Sequence, residues 1–119
     1  MPRRRIDPIE GMAAVRAWTE QGGAAPRSVV MTAVRFTLEE LGALHPGRAV
    51  EVRVPPAGAV QILPGTTHRR GTPPAVVETD AGTWLALATG SLTWVAACGD
   101  GLVQASGERT DLSDYLPII

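Results

Sequence analysis

The residues that could do chemistry in this chain are few. The densest set is His68-Arg69-Arg70, inside "THRRG". A histidine there could act as a general base, but it would need an orienting carboxylate or a nucleophile within reach, and local spacing supplies neither. The two arginines could hold a phosphate or carboxylate through paired hydrogen bonds. The same charges would equally suit an exposed loop or an edge strand, where they discourage pairing with another chain. His45 precedes Pro46-Gly47 and reads as a solvated or helix-ending residue. Cys98 is the only cysteine, so no internal disulfide forms. It falls on the apolar side of a short helix and is expected to be a small core residue, slow to react with thiol reagents. Two histidines and one cysteine, widely separated, make no zinc pattern. "GAVQILPG" lacks both the spacing and the lysine of a phosphate loop. No catalytic residue, metal site or cofactor is read from the sequence.

These residues must be carried by 119 positions, which suits one domain spanning 1–119, with residues 1–5 ("MPRRR") expected to form a flexible tail. The net charge is −1, which implies no general attraction to nucleic acid or to an anionic membrane. All eleven basic residues are arginine, as coding bias in a G+C-rich genome would produce. The basic start is followed by no apolar run, so it does not read as a signal peptide. No apolar segment approaches the roughly 20 residues needed to span a bilayer, so stable membrane insertion is not expected. A single cysteine fits a reducing cytoplasm.

The elements follow from period and punctuation. In "IDPIEGMAAVRAWTEQGG", Asp7 caps, Pro8 takes the first helical position, and Glu10 stands where a capping box needs it. Met12, Val15 and Trp18 share a face, and Gly22-Gly23 stops the helix. "PRSVVMTAVRFTLEELGALHPG" is the strongest helix. It has a broad apolar arc through Val30, Val34, Leu38 and Leu41, and Arg35 can pair with Glu39 on the other side. Val29 and Phe36 form a second apolar patch, either part of a broad buried face or a contact for a neighbour. The period then changes to two. Val50, Val52 and Val54 alternate with Glu51 and Arg53, "PPAG" breaks the run, and Val60 and Ile62 continue as the second strand of a hairpin. Residues 66 to 70 are ambiguous between loop and short polar strand. "AVVET" is another strand.

It leads directly into "TDAGTWLALATG", a helix capped by Asp80 and closed by Gly90, with Trp84, Leu85, Leu87 and Ala88 on one arc. Thr93 caps a further short helix carrying Trp94, Val95, Ala97 and Cys98. "LVQASG" is a last strand, and a turn or short helix forms around Leu112, Tyr115 and Leu116. The order predicts an α+β domain: a mostly antiparallel sheet covered on one face by helices.

From Thr83 to Gly107, "TWLALATGSLTWVAACGDGLVQASG" resembles the C-terminal half of the sterol carrier protein family, the non-specific lipid-transfer proteins. The aromatic-led "LALATG" helix, the second short helix and the following strand carry the likeness. "AVRFTLEELGALHPGRAVEVRVPP", "RGTPPAVVETD" and "ASGERTDLSDYLP" extend it over nearly the whole chain, to the short single-domain actinobacterial type. Ala96 departs from the acidic residue that often completes the second helix's capping box. Gly99 and Asp100 also predict that this helix is short.

The resemblance implies an apolar cavity between sheet and helices, and thus a cytoplasmic protein that binds or transfers a fatty acyl or sterol-like ligand. The walls would include Val34, Leu38, Val52, Ile62, Trp84, Leu85, Leu87 and Trp94, with His68, Arg69 or Arg70 at the polar end. Burial of each methylene would gain about 0.8 kcal/mol, so binding needs no catalytic group. Two other readings stay open: a non-binding accessory module that packs as a homodimer, and a small enzyme using His68 or Asp80 as acid or base.

Overall fold

Each helix of the protein begins and ends where local chemistry stops the backbone. In a computed structural model describing residues 6–65 and 75–119, Asp7 caps α1 (Pro8–Gln21), its Oδ1 accepting from the Ile9 N–H at 2.9 Å. Gly22 ends that helix at a positive φ of 56°. After a short 3₁₀ turn, α2 (Arg27–Leu44) runs to His45, whose N–H donates to the Leu41 carbonyl. β1 (Val50–Val54) and β2 (Gly58–Ile62) form the expected hairpin, and β3 (Ala75–Thr79) follows. Asp80 caps α3 (Ala81–Thr89) through a 2.7 Å bond from the Thr83 N–H, and Gly90 closes it in the left-handed conformation. Thr93 caps α4 (Trp94–Gly99), which has only six residues, and β4 (Val103–Ser106) completes the sheet. Leu112 is buried, and a single 3₁₀ turn follows at Ser113–Tyr115.

The fold is α+β, with the sheet order β2-β1-β3-β4. Both outer pairings are antiparallel, while the central pair, β1 with β3, is parallel. The register explains the mixture. Ile62 at the end of β2 and Ala75 at the start of β3 both lie opposite Val50, the first residue of β1. The chain therefore returns to β1 at the end where β1 began and must run alongside it.

Val50, Val52, Val54 and Ile62 have no accessible surface, and Val60 is half-buried beside them. Glu51 and Arg53 occupy the opposite face, where they form a 2.6 Å ion pair. Against the buried face stand the apolar arcs of α2 and α3, joined through one polar link. The Trp84 indole Nε1–H donates to Thr37 Oγ1 at 2.8 Å, and the Thr37 hydroxyl also lies 2.8 Å from the Ala33 carbonyl one turn back. Both side chains are buried. The second patch on α2 belongs to α1: the Phe36 ring is buried and lies so close over Gly11 that a Cβ there would stand 2.2 Å from it. The C-terminal segment returns to α3, with the Ile118 and Ile119 N–H groups both donating to the Ala88 carbonyl.

Three local expectations do not hold. Glu10 closes no capping box, since its carboxylate makes no hydrogen bond among the described residues. Arg35 donates its Nε–H to the Ala57 carbonyl at 2.8 Å rather than pairing with Glu39. Cys98 is exposed rather than a core residue. Because α4 is short and packs along the sheet edge, only Ala97 of its side chains is fully covered.

The first prediction concerns the buried link. Thr37→Val would leave the indole N–H without an acceptor in a place water cannot reach, costing about 1–3 kcal/mol in chemical denaturation. Thr37→Ser keeps the hydroxyl and should retain most of the stability. Equal midpoints for the two variants would show that the hydrogen bond contributes nothing. The second concerns Cys98. Partial desolvation of the sulfur, and then the negative charge of Asp111, push its thiol above the ordinary value. Native protein should therefore label without unfolding, at a rate that rises with pH as the thiolate forms. Asp111→Asn should speed labelling at neutral pH, because removing the charge lowers the thiol pKa. Labelling only on unfolding would contradict the exposed placement.

Candidate ligand groove

The residues expected to line an apolar cavity do come together, but as close-packed core. Val34, Val52, Ile62 and Leu85 have 0% exposure, and Trp84 and Leu87 1%. A side chain with no accessible surface touches no void that a water could enter. Val34, Leu38, Val52, Ile62, Trp84 and Leu85 belong to one cluster, Leu87 is buried outside it, and Trp94 is half-buried against its edge. His68, Arg69 and Arg70 lie outside the described residues.

One of these positions, Leu38, also reaches a surface hollow. A groove of about 760 Å³ runs between α2 and the β1–β2 hairpin, with Ile6 and Glu10 also on its border. Leu38, Ala57, Ala59 and Val60 supply its apolar wall, and Thr32, Arg35 and Glu39 its polar one. The helix spacing produces the polar wall: 32, 35 and 39 lie three and four residues apart, so their side chains project from one flank of α2. The hairpin is held close to that flank. At Gly42 a Cβ would stand 2.7 Å from Val60 Cγ2, so this turn of α2 has room only for a hydrogen. The Arg35–Ala57 bond ties the hairpin turn to the helix and fixes the guanidinium at the groove wall. Glu39 accepts a long, 3.4 Å bond from the Ile6 N–H.

A second hollow of about 430 Å³ lies in the crevice between α1 and α2, bordered by Ala13, Ala14, Ala17 and Val29. Glu10 and Thr32 border both hollows. Local sequence reasoning missed Glu10, Thr32 and Arg35. Arg35 read as a partner for Glu39 on the side of α2 away from its apolar arc, Glu10 as the second half of a capping box, and Thr32 carried no local signal. Only the packing of α1 and the hairpin against α2 converts them into one wall. Among the described residues, no group of three or more histidine, cysteine or carboxylate side chains could hold a metal ion. None of the described helices is long and apolar enough to cross a membrane.

The architecture is thus α+β: a mixed four-stranded sheet with α2 and α3 against its buried face and α1 packed on α2, with a partly apolar groove beside α2. A family model described as bacterial SCP ortholog matches residues 26–118, and the chain belongs to the sterol carrier protein family. No curated protein matches the chain.

Proposed function

We propose that this protein binds or transfers lipid in the cytoplasm, holding a fatty acyl or sterol-like ligand between the sheet and the helices. Family membership supports the reading in general terms. The observation that carries it to a place is Leu38, which is at once a member of the core cluster and part of the groove wall. An apolar chain laid in the groove meets Leu38 and Val60 first. Val34, Val52, Ile62 and the α3 side chains Trp84, Leu85 and Leu87 lie deeper. To reach them the ligand must displace side chains or part β2 from α2, and each methylene it buries gains about 0.8 kcal/mol toward that. A chain of ten or more carbons has enough such gain to offset a local rearrangement of several kcal/mol. Trp94 stands at the rim of the same core. No step in this function requires a catalytic residue.

The test uses delipidated protein and a fluorescent fatty acyl probe. Saturable binding in the micromolar range, about −8 kcal/mol, is expected, with a raised Tm because only the folded state has the site. Gly58 provides the control. A Cβ built there would lie 3.9 Å from both Arg35 Cγ and Leu38 Cδ1, so Gly58→Trp directs a ring into the groove without disturbing the core. It should weaken probe binding by about tenfold or more at unchanged Tm, equivalent to about 1.4 kcal/mol. Undiminished binding in that variant would place the ligand elsewhere. A folded, dimeric wild-type protein that binds no acyl or sterol probe would contradict the carrier reading and favour an accessory module.

A further inference from the structure

Local rules assign Arg35, Glu39 and Glu10 to other tasks, and the fold brings all three to the wall of one groove, where Glu39 is taken up by the Ile6 N–H. Arg35 has its Nε–H fixed on the Ala57 carbonyl, which leaves the two terminal nitrogens of a positioned guanidinium without a partner among the described residues. Glu10 and the Thr32 hydroxyl make no hydrogen bond or ion pair among the described residues. Among the described residues a cation, a carboxylate and a hydroxyl thus stand unengaged in a hollow whose other polar side chain, Glu39, already accepts from the Ile6 N–H, and whose apolar wall is Ile6, Leu38, Ala57, Ala59 and Val60. A guanidinium held by one nitrogen is pre-organised for an oxygen acid, since little side-chain freedom is left to lose.

A purely anionic ligand would leave the Glu10 and Glu39 carboxylates facing like charge, and a purely cationic one would do the same to Arg35. The ligand that satisfies both carries an anionic oxygen acid and an ammonium on one apolar body. We propose that the groove is a head-group site for a zwitterionic amphiphile. Its anionic oxygens sit on Arg35 and Thr32, its ammonium on Glu10, and its apolar part on Leu38 and Val60. The proposal rests on the lipid-binding reading and deepens it by naming the ligand's charge pattern and the residues that read it.

The test is calorimetric titration of the full chain with four probes. These are dihexanoyl phosphatidylethanolamine below its micelle concentration, decanoate, decylamine, and O-phosphoethanolamine alone. The zwitterionic lipid should bind about tenfold tighter than decanoate or decylamine, the worth of one charge-assisted hydrogen bond. O-phosphoethanolamine should bind far more weakly than the lipid, because it has nothing to place on Leu38. Glu10→Gln removes an exposed group without a hydrogen bond, so it should fold normally. It should weaken the zwitterion and strengthen decanoate, reversing the preference. Arg35→Gln should do the converse and favour decylamine.

If decanoate binds as tightly as the lipid and neither variant changes the order, the head-group site is wrong while the lipid-binding reading stands. The head-group site is equally wrong if His68→Ala or Arg69→Ala alters the preference and Glu10→Gln does not. O-phosphoethanolamine binding as tightly as the lipid would overturn the amphiphile. If none of the four probes and no acyl probe binds, the lipid-binding reading fails as well.

Discussion

One hydrogen bond settles how the helices sit on the sheet. The Trp84 indole N–H and the Thr37 hydroxyl meet 2.8 Å apart in a region closed to water, 47 positions apart in the chain. An indole carries a large apolar body and one obligatory donor, so burying the ring obliges the fold to supply an acceptor. Thr37 supplies it and lies 2.8 Å from the Ala33 carbonyl, so the threonine is itself fixed to its helix. The pair sets both the separation and the rotation of α3 against α2. Either helix turning by one residue would carry its partner atom out of range and leave a buried polar group unmatched. No buried side-chain nitrogen or oxygen among the described residues lacks a partner. With α2 and α3 locked, the valines of β1 have one apolar surface to face.

Local signals foretold the elements well, because each depends on neighbours in the chain. Asp7, Asp80 and Thr93 cap through bonds to backbone groups two or three residues away, and Gly22 and Gly90 stop helices through their own φ. The alternation at Val50 to Val54 reports one wet face because the pleat has period two. Non-local facts were the ones missed. Nothing near Ala75 announces that it will lie opposite Val50, so the parallel centre of the sheet was hidden in a mostly antiparallel reading. Cys98 has the right spacing for an apolar face, but six residues of helix on a sheet edge cannot cover every side they present.

The groove was hidden for a related reason. Arg35 and Glu39 satisfy the i,i+4 pairing rule, worth only a few tenths of a kcal/mol on an exposed helix. A backbone carbonyl at a hairpin turn, brought alongside by tertiary packing, competes with it easily, and Arg35 bonds to Ala57. Glu10 has the sequence position of a capping-box partner, yet Asp7 already caps through Ile9, and the carboxylate lies at the groove instead. Departures from local rules that converge at one place are more informative than either alone. Of the apolar residues named from the family resemblance, six join one packed cluster, Leu87 is buried outside it and Trp94 is half-buried at its edge, and Leu38 alone among them lines the groove.

These relations imply an order in which the molecule can yield. The α2–α3 pair is held by a buried, directional hydrogen bond, whereas the α2–hairpin side is held by non-directional apolar packing, at Val60 and Ile62 among others, and by an exposed arginine. A ligand entering past Leu38 should therefore move β2 and leave α3 in place. The direct measurement is amide and indole exchange by NMR, with the Trp84 indole resonance identified through Trp84→Phe, in delipidated protein with and without a saturating acyl ligand. The account predicts that the Trp84 indole proton stays as protected with ligand as without it, while the β2 amides and Leu38 methyls change. Loss of indole protection on binding, with β2 unaffected, would mean that the ligand parts α2 from α3, and would contradict it.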